Sequence, residues 1–79
     1  MFTHIIKAKY IKDYIIWLAF NNGKQGQINL AKELKGEIFE PLKDISYFKK
    51  FKIRDTLSWE NGADFAPEFL YQLVKKQNN

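Results

Sequence analysis

Apolar and polar residues alternate over residues 2–10, and a period of two is typical of a half-buried β-strand. The alternation places Ile6 on the core side of this strand and Ile5 on the solvent side with the lysines. A turn is predicted over residues 11–13. Residues 14–20 then form an unbroken β-branched and aromatic run, which favours a central strand covered on at least one face.

Turn and capping residues predict the elements after the second strand. Asn22-Gly23 supplies the positive φ angles that a tight hairpin turn requires, so residues 25–28 are predicted to return as a third strand. The side chain of Asn29 is placed to accept a hydrogen bond from an unpaired backbone N–H, which predicts a short helical segment over residues 30–35.

Short elements are predicted for the middle of the chain. Residues 37–42 are interpreted as a connector, and Asp44 is predicted to cap a helix over residues 45–51. Residues 52–55 and 56–59 are interpreted as two short strands of a second hairpin, with a tight turn near Arg54-Asp55.

A helix closes the predicted fold. Pro67 suits a first helical turn, where its missing N–H costs nothing, and Leu70, Leu73 and Val74 form a buried stripe. The polar tail, residues 76–79, is predicted to fray. The order is β-β-β-α-α-β-β-α, an α+β class in which a three-stranded antiparallel meander and a short second hairpin pack with two to three short helices.

Length and composition limit the class of protein. A chain of 79 residues makes one domain, residues 1–79. It has no Cys, which excludes disulfides and thiolate metal sites and fits the cytoplasm. Its longest apolar run, residues 14–20, is far shorter than the roughly 20 residues of a membrane span, and Lys7 interrupts the run that a signal peptide needs. The net charge of +4 favours acidic partners only weakly.

Catalytic chemistry has little support in the sequence. His4 is the only histidine, and no serine stands at a spacing that predicts a nucleophile beside it. Asp55, Glu60 and Asp64 lie close together in sequence, which leaves a carboxylate pair open, although turn and surface roles explain them as well. We therefore predict that the protein is not an enzyme and binds no metal or cofactor.

The densest basic segment is a candidate nucleic-acid site. Residues 49–54 carry Lys49, Lys50, Lys52 and Arg54 interleaved with apolar side chains, and such segments bind phosphates and stack on bases. Phe51 and its apolar neighbour at position 53 are predicted to point inward. A plain amphipathic segment with a solvated face has the same pattern, so both interpretations stay open.

The most distinctive stretch is a candidate protein-interaction site. Trp59, Glu60, Asn61, Gly62 and Asp64 fall within six residues and predict a rigid turn at the surface. Trp is enriched at the hot spots of protein interfaces. The alternative interpretation is that the Trp anchors a structural turn in the core.

These residues belong to a longer ordered set along residues 4–71. The set comprises Phe20 before the turn at Gly23, then Gly26, Ile28 and Leu30, Phe39-x-Pro41-Leu42, Asp44 and Phe48, and finally Trp59-x-Asn61-Gly62-Ala63-Asp64-x-Ala66-Pro67 with Leu70-Tyr71. In this order they resemble a small bacterial family, domain of unknown function 2442.

The chain departs from the family pattern in mild ways. Asn22 and Asn29 stand where the family has Asp, Glu60 stands where it has Pro, and Glu68 stands where it has Asp. These residues keep the turn and cap chemistry but weaken any argument for a catalytic carboxylate at the first two positions. The resemblance implies a compact α+β fold without an established enzyme activity. It also implies a partner, since family members often stand beside another small protein in a toxin–antitoxin-like arrangement.

The leading hypothesis is a non-enzymatic protein-interaction module, the antitoxin-like or regulatory member of a bacterial two-gene pair, whose partner is another small protein. One alternative is a nucleic-acid-binding regulatory protein that uses the basic segment. Another is a phage-type inhibitor of a host protein. A homodimer through an exposed strand edge is also open, because short edge strands invite pairing. A small enzyme or ligand-binding domain with an apolar pocket forms a third class, and no membrane contact is predicted.

Overall fold

A computed structural model describes residues 3–78, so the predicted strand start at Phe2 and the tail residue Asn79 lie outside the described residues. The α+β class and the order of the elements are confirmed. The elements are β1 (Ile5–Lys12), β2 (Ile15–Phe20), β3 (Gln25–Asn29), two 3-10 helices (Ala31–Glu33 and Glu37–Lys43), α1 (Ile45–Phe48), β4 (Lys52–Ile53), β5 (Leu57–Ser58) and α2 (Pro67–Gln77). The connector predicted over residues 37–42 is therefore the second 3-10 helix.

β2 is the central strand of a three-stranded antiparallel sheet in the order β1-β2-β3. Alternate residues of β2 are fully buried against the helices, namely Ile16, Leu18 and Phe20. The residues between them, at positions 15, 17 and 19, are half-buried on the opposite face. We call that opposite face the outer sheet face. One face of the sheet thus forms the core and the other is left without a covering layer by the described residues.

A bulge in β1 reverses one predicted assignment. The register of β1 against β2 shifts between Ile5 and Lys7, so Ile6 is an extra residue in the strand. Ile5 is 2% exposed and Ile6 is 53% exposed. The prediction that Ile6 faces the core and Ile5 faces solvent is wrong for both residues, because one inserted residue exchanges the two faces of a strand.

A backbone hydrogen bond joins the second hairpin to the sheet, in which Ile5 N donates to Asp55 O at 3.0 Å. Asp55 has a φ of 65° and forms the tight turn that the sequence predicted. Phe51 packs against the core as predicted, but Ile53 is 38% exposed. The prediction for Ile53 fails because β4 has only two residues, and both of them lie outside the core.

Aromatic rings fill much of the core. Phe48, at the end of α1, is fully buried and contacts three other rings, those of Tyr10, Tyr14 and Trp59. Helix α1 begins at the predicted cap, where Ser46 N donates to Asp44 Oδ1 at 3.0 Å. Many of the aromatic side chains therefore pack in the core, where they stabilise a short chain that has no disulfides.

Helix α2 packs its predicted stripe of Leu70, Leu73 and Val74 towards β3. Gly26 permits the close approach, since a Cβ at this position would lie 2.9 Å from Val74 Cγ1. The helix continues to Gln77, and its end is hydrogen-bonded to β3 through side-chain amides. The predicted fraying of residues 76–79 concerns motion and stays a prediction. No helix among residues 3–78 is long and apolar enough to cross a membrane.

Candidate functional site

Trp59 is an anchor of its turn and not part of the exposed surface. Its side chain is 4% exposed, and the indole Nε1–H donates to Phe48 O at 2.7 Å. Its ring lies 5.7 Å from that of Phe48 and 5.9 Å from that of Phe65. The core-anchor interpretation of Trp59 therefore describes the structure, and the exposed part of the turn begins at Glu60. A hot-spot role for the indole would require it to leave the core.

Backbone and side-chain hydrogen bonds close the turn after Trp59. Trp59 N donates to Ala63 O at 2.9 Å, and Gly62 N donates to Trp59 O at 3.0 Å. Gly62 has a φ of 93°, a conformation that glycine adopts without a steric penalty. Inside the loop, Ala63 N donates to Asn61 Oδ1 at 3.1 Å. The turn is consequently held by three internal hydrogen bonds.

Asn61 also attaches the turn to the helical part of the protein. Its Nδ2 donates to Ile38 O at 2.8 Å, and its backbone N donates to Tyr47 Oη at 3.0 Å. These contacts reach the second 3-10 helix and α1, which lie far away in sequence. The turn is thus connected to two other elements, as a rigid turn requires, and its rigidity stays a prediction.

The second hairpin and the turn together enclose a small cleft of about 370 Å³. Its lining residues are Lys52, Arg54, Ser58, Trp59, Glu60, Gly62 and Asp64. An isolated bridge between Ser58 and Asp64 fixes the two sides relative to each other. The structure thus combines half of the predicted nucleic-acid site and most of the predicted protein-interaction site in one place. We call it the hairpin cleft.

The charges in the hairpin cleft are only partly paired. Lys52 Nζ contacts Glu60 Oε2 at 2.6 Å. This hydrogen bond, together with the positive charges of Lys52 and then Arg54, holds the pKa of the Glu60 carboxyl below its ordinary value. Within residues 3–78, neither the Arg54 guanidinium nor the Asp64 carboxylate forms a hydrogen bond or a contact ion pair. The cleft therefore presents one positive and one negative group that are available to a ligand.

Lys49 and Lys50 do not belong to the cleft. They follow α1 in a turn, are exposed, and form no ion pair within the described part of the chain. The predicted basic site is consequently divided, with two lysines beside the helix and Lys52 and Arg54 in the cleft. No group of three His, Asp or Glu residues that could hold a metal ion occurs among residues 3–78.

Trp17 was not among the candidate site residues that the sequence indicated. It lies on the outer sheet face, half-buried, and it does not pack against the core cluster. Among the described residues its indole has neither a ring contact nor a hydrogen-bond partner. The period of two in β2 already places Trp17 on the other face of the strand from Ile16 and Leu18. Because all residues of this run are apolar, however, the sequence does not show which of the two faces is covered.

Comparison with known proteins identifies a family. A family model described as "Protein of unknown function (DUF2442)" matches residues 5–76, which is nearly the whole chain. No curated protein and no solved structure matches. The family resemblance predicted from the ordered residues is thereby confirmed, and the match includes both the hairpin cleft and the outer sheet face.

Proposed function

We propose that this chain, which belongs to the DUF2442 family, acts as a non-enzymatic protein-interaction module that binds a charged segment of another protein in the hairpin cleft. The observation that carries the proposal is that the Arg54 guanidinium and the Asp64 carboxylate line the cleft without a hydrogen bond or a contact ion pair among residues 3–78. A partner that offers a carboxylate to the first and a cation to the second would satisfy both.

The turn beside these two groups is held in place by contacts with the rest of the protein, which favours binding of a partner. Trp59 fixes one end of the turn in the core, and Asn61 connects the turn to two helical elements. A binding surface that is already ordered loses little conformational entropy when a partner docks. The rigid turn therefore supports affinity even though its Trp is buried.

The chemistry of Glu60 also favours binding over catalysis. A general acid or base works best with a pKa near the working pH. The contact with Lys52 lowers the pKa of Glu60 and so moves it away from that range. Glu60 is suited to stay ionised as part of a charged surface.

The partner is proposed to be another small protein, with this chain as the antitoxin-like or regulatory member of a two-gene pair. The family resemblance supports this assignment, because family members often stand beside a second small protein. A phage-type inhibitor of a host protein would use the same cleft in the same way. The identity of the captured partner distinguishes the two.

The test begins with capture of the tagged protein from its native lysate with and without nuclease, followed by mass spectrometry. The recovered protein is then purified, and its Kd is measured for the wild type and for Arg54→Ala and Asp64→Asn. We expect each substitution to weaken binding about tenfold, as the loss of one charged contact does. Lys49→Ala and Glu68→Gln are matched controls, because they change the same charges outside the cleft.

Two results would refute the proposal. One is that no protein survives nuclease treatment at near-stoichiometric amounts. The other is that the cleft variants bind the purified partner as tightly as the wild type does. The proposal would equally be refuted if each control weakened binding as much as its matched cleft variant, because the effect would then not depend on the position of the charge in the cleft.

A further inference from the structure

The outer sheet face has a composition unlike the rest of the surface. The three strands β1, β2 and β3 contain three lysines and a tryptophan, and they contain no Asp or Glu. The carboxylate next to them in sequence is Asp13, which lies in the β1–β2 turn. A positive field over this face is therefore not neutralised by the strands themselves.

The strand register places the lysines around Trp17. Lys9 pairs with Trp17 on one side, and Gln27 pairs with it on the other. Lys7 pairs with Ala19, so it shares the outer face one step along the strand. Residues that pair directly across antiparallel strands have Cβ atoms about 5 Å apart. Lys9 and Gln27 are thus immediate neighbours of the indole.

A third lysine extends this arrangement. Lys12 pairs with Ile15, the half-buried residue two positions before Trp17 on the same face. All three lysines are exposed, and none of them forms an ion pair among residues 3–78. On β3, Gln25 and Gln27 add amide groups that both donate and accept hydrogen bonds.

We propose that the outer sheet face binds single-stranded nucleic acid, with Trp17 stacking on a base and Lys7, Lys9 and Lys12 contacting backbone phosphates. Aromatic side chains on a positively charged surface are the general means of binding single strands without sequence preference. The amides of β3 would contact base edges or sugars.

The same residues fit a protein partner less well. Three lysines surround Trp17 on this face, and Lys is depleted in protein interfaces, whereas Trp17, Ile15 and the exposed Ile6 would suit such a surface. A polyanion with planar bases satisfies both residue types at once. The duplex form is also disfavoured, since its bases are stacked on one another and offer no face to Trp17.

This proposal is independent of the hairpin cleft. It uses residues of β1, β2 and β3, whereas the cleft uses residues 52–64. Nucleic-acid binding on the sheet and protein binding in the cleft are therefore tested by separate substitutions, and failure of one leaves the other standing.

The test measures fluorescence anisotropy of labelled oligothymidylate, oligouridylate and a duplex of the same length, over a range of salt concentrations. For single strands we expect the slope of log K against log salt to be about −2, since each of three phosphate contacts contributes about −0.7. Duplex DNA should bind more weakly. Quenching of tryptophan fluorescence by the unlabelled single strand in the wild type, and its loss in Trp17→Phe, would report direct stacking on Trp17 rather than on Trp59.

The decisive comparison uses two triple variants with the same net charge. Lys7→Gln/Lys9→Gln/Lys12→Gln removes the sheet lysines, and Lys24→Gln/Lys32→Gln/Lys35→Gln removes three exposed lysines elsewhere. We expect the first to reduce affinity at least about tenfold and to flatten the salt slope, and the second to change affinity less than about threefold.

Trp17 is tested by two substitutions that suit a strand. Trp17→Phe keeps an aromatic face and should retain most of the binding, whereas Trp17→Thr should lose about tenfold. Circular dichroism is used to check that each variant is folded. The proposal is overturned if single strands do not bind at low salt, or if the two triple variants are equally impaired. It is also overturned if Trp17→Thr abolishes capture of a nuclease-resistant protein while oligonucleotides stay unbound.

Discussion

The side-chain amide of Gln77 forms two hydrogen bonds with the backbone of Asn29. Asn29 N donates to Gln77 Oε1 at 2.7 Å, and Gln77 Nε2 donates to Asn29 O at 3.3 Å. Next to this pair, Asn78 Nδ2 donates to Gln27 O at 2.6 Å. These amides occupy backbone groups that an additional strand would otherwise use. The end of α2 therefore protects the free edge of β3.

Gln77→Ala should expose part of this edge. We expect a loss of about 1 kcal/mol in the free energy of unfolding, because two hydrogen bonds to the backbone disappear. We also expect concentration-dependent self-association, measured by sedimentation velocity. Gln72→Ala is the control, since Gln72 is an exposed residue of the same helix. If both variants stay monomeric and equally stable, the amide does not protect the edge.

The two tryptophans should respond differently to the same substitution. Trp59→Phe removes the donor to Phe48 O and leaves a buried carbonyl without its partner. We expect destabilisation by about 2 kcal/mol in urea denaturation. Trp17→Phe on the outer sheet face should cost less than about 0.5 kcal/mol. Equal effects, or a larger effect at Trp17, would contradict the burial assigned to them.

Gly26 and Val74 should be energetically coupled. A Cβ on Gly26 would lie 2.9 Å from Val74 Cγ1, so Gly26→Ala should destabilise by about 1–3 kcal/mol through overpacking. Val74→Ala removes that methyl group and should cost about 2 kcal/mol alone. The loss of stability in the double variant should be smaller than the sum of the losses in the two single variants. If the two single losses measured by thermal unfolding simply add up in the double variant, α2 is free to shift away from β3.

The Glu60 carboxyl should titrate below its ordinary pKa of 4.5. The pKa of this carboxyl is lower in the folded protein than in the unfolded chain. Its contribution to the free energy of unfolding is therefore present at a pH above the ordinary pKa and is lost as the pH falls through the folded pKa. Lys52→Met should return the pKa towards the ordinary value, measured by NMR of the side-chain carboxyl. Lys49→Met should leave it unchanged. If Lys52→Met and Lys49→Met change the pKa of Glu60 equally, the shift does not come from a specific contact with Lys52.

Local signals sufficed for much of the fold. The cap at Asp44, the turn at Asp55 and the first helical residue Pro67 are found where the sequence predicted them. Each depends on interactions within a few residues, which a pattern of residue types records directly. The order of elements followed from these boundaries.

Features that depend on distant partners were not predictable. The bulge that exchanges Ile5 and Ile6 depends on how β1 meets β2. The burial of Trp59, which follows β5, and the half-buried position of Trp17 on the outer sheet face depend on tertiary packing, and the two side chains are identical. For this reason the sequence indicated Trp59 as the candidate surface tryptophan, whereas Trp17 lies on the outer sheet face. The predicted hot spot Trp59 anchors the core, and the indole that has no ring contact or hydrogen bond among residues 3–78, that of Trp17, is on the sheet.

The contact between Asn29 and Gln77 joins residues 48 positions apart, whereas the strands of the meander follow one another directly. Closing a long loop costs more entropy than closing a short one, so contacts between near neighbours form at less cost. We expect the sheet to form early in folding and α2 to dock late. A delay in docking would leave the apolar surface under Val74 and the edge of β3 bare at the same moment. The rate of that single step would then set how long a newly made chain is open to aggregation.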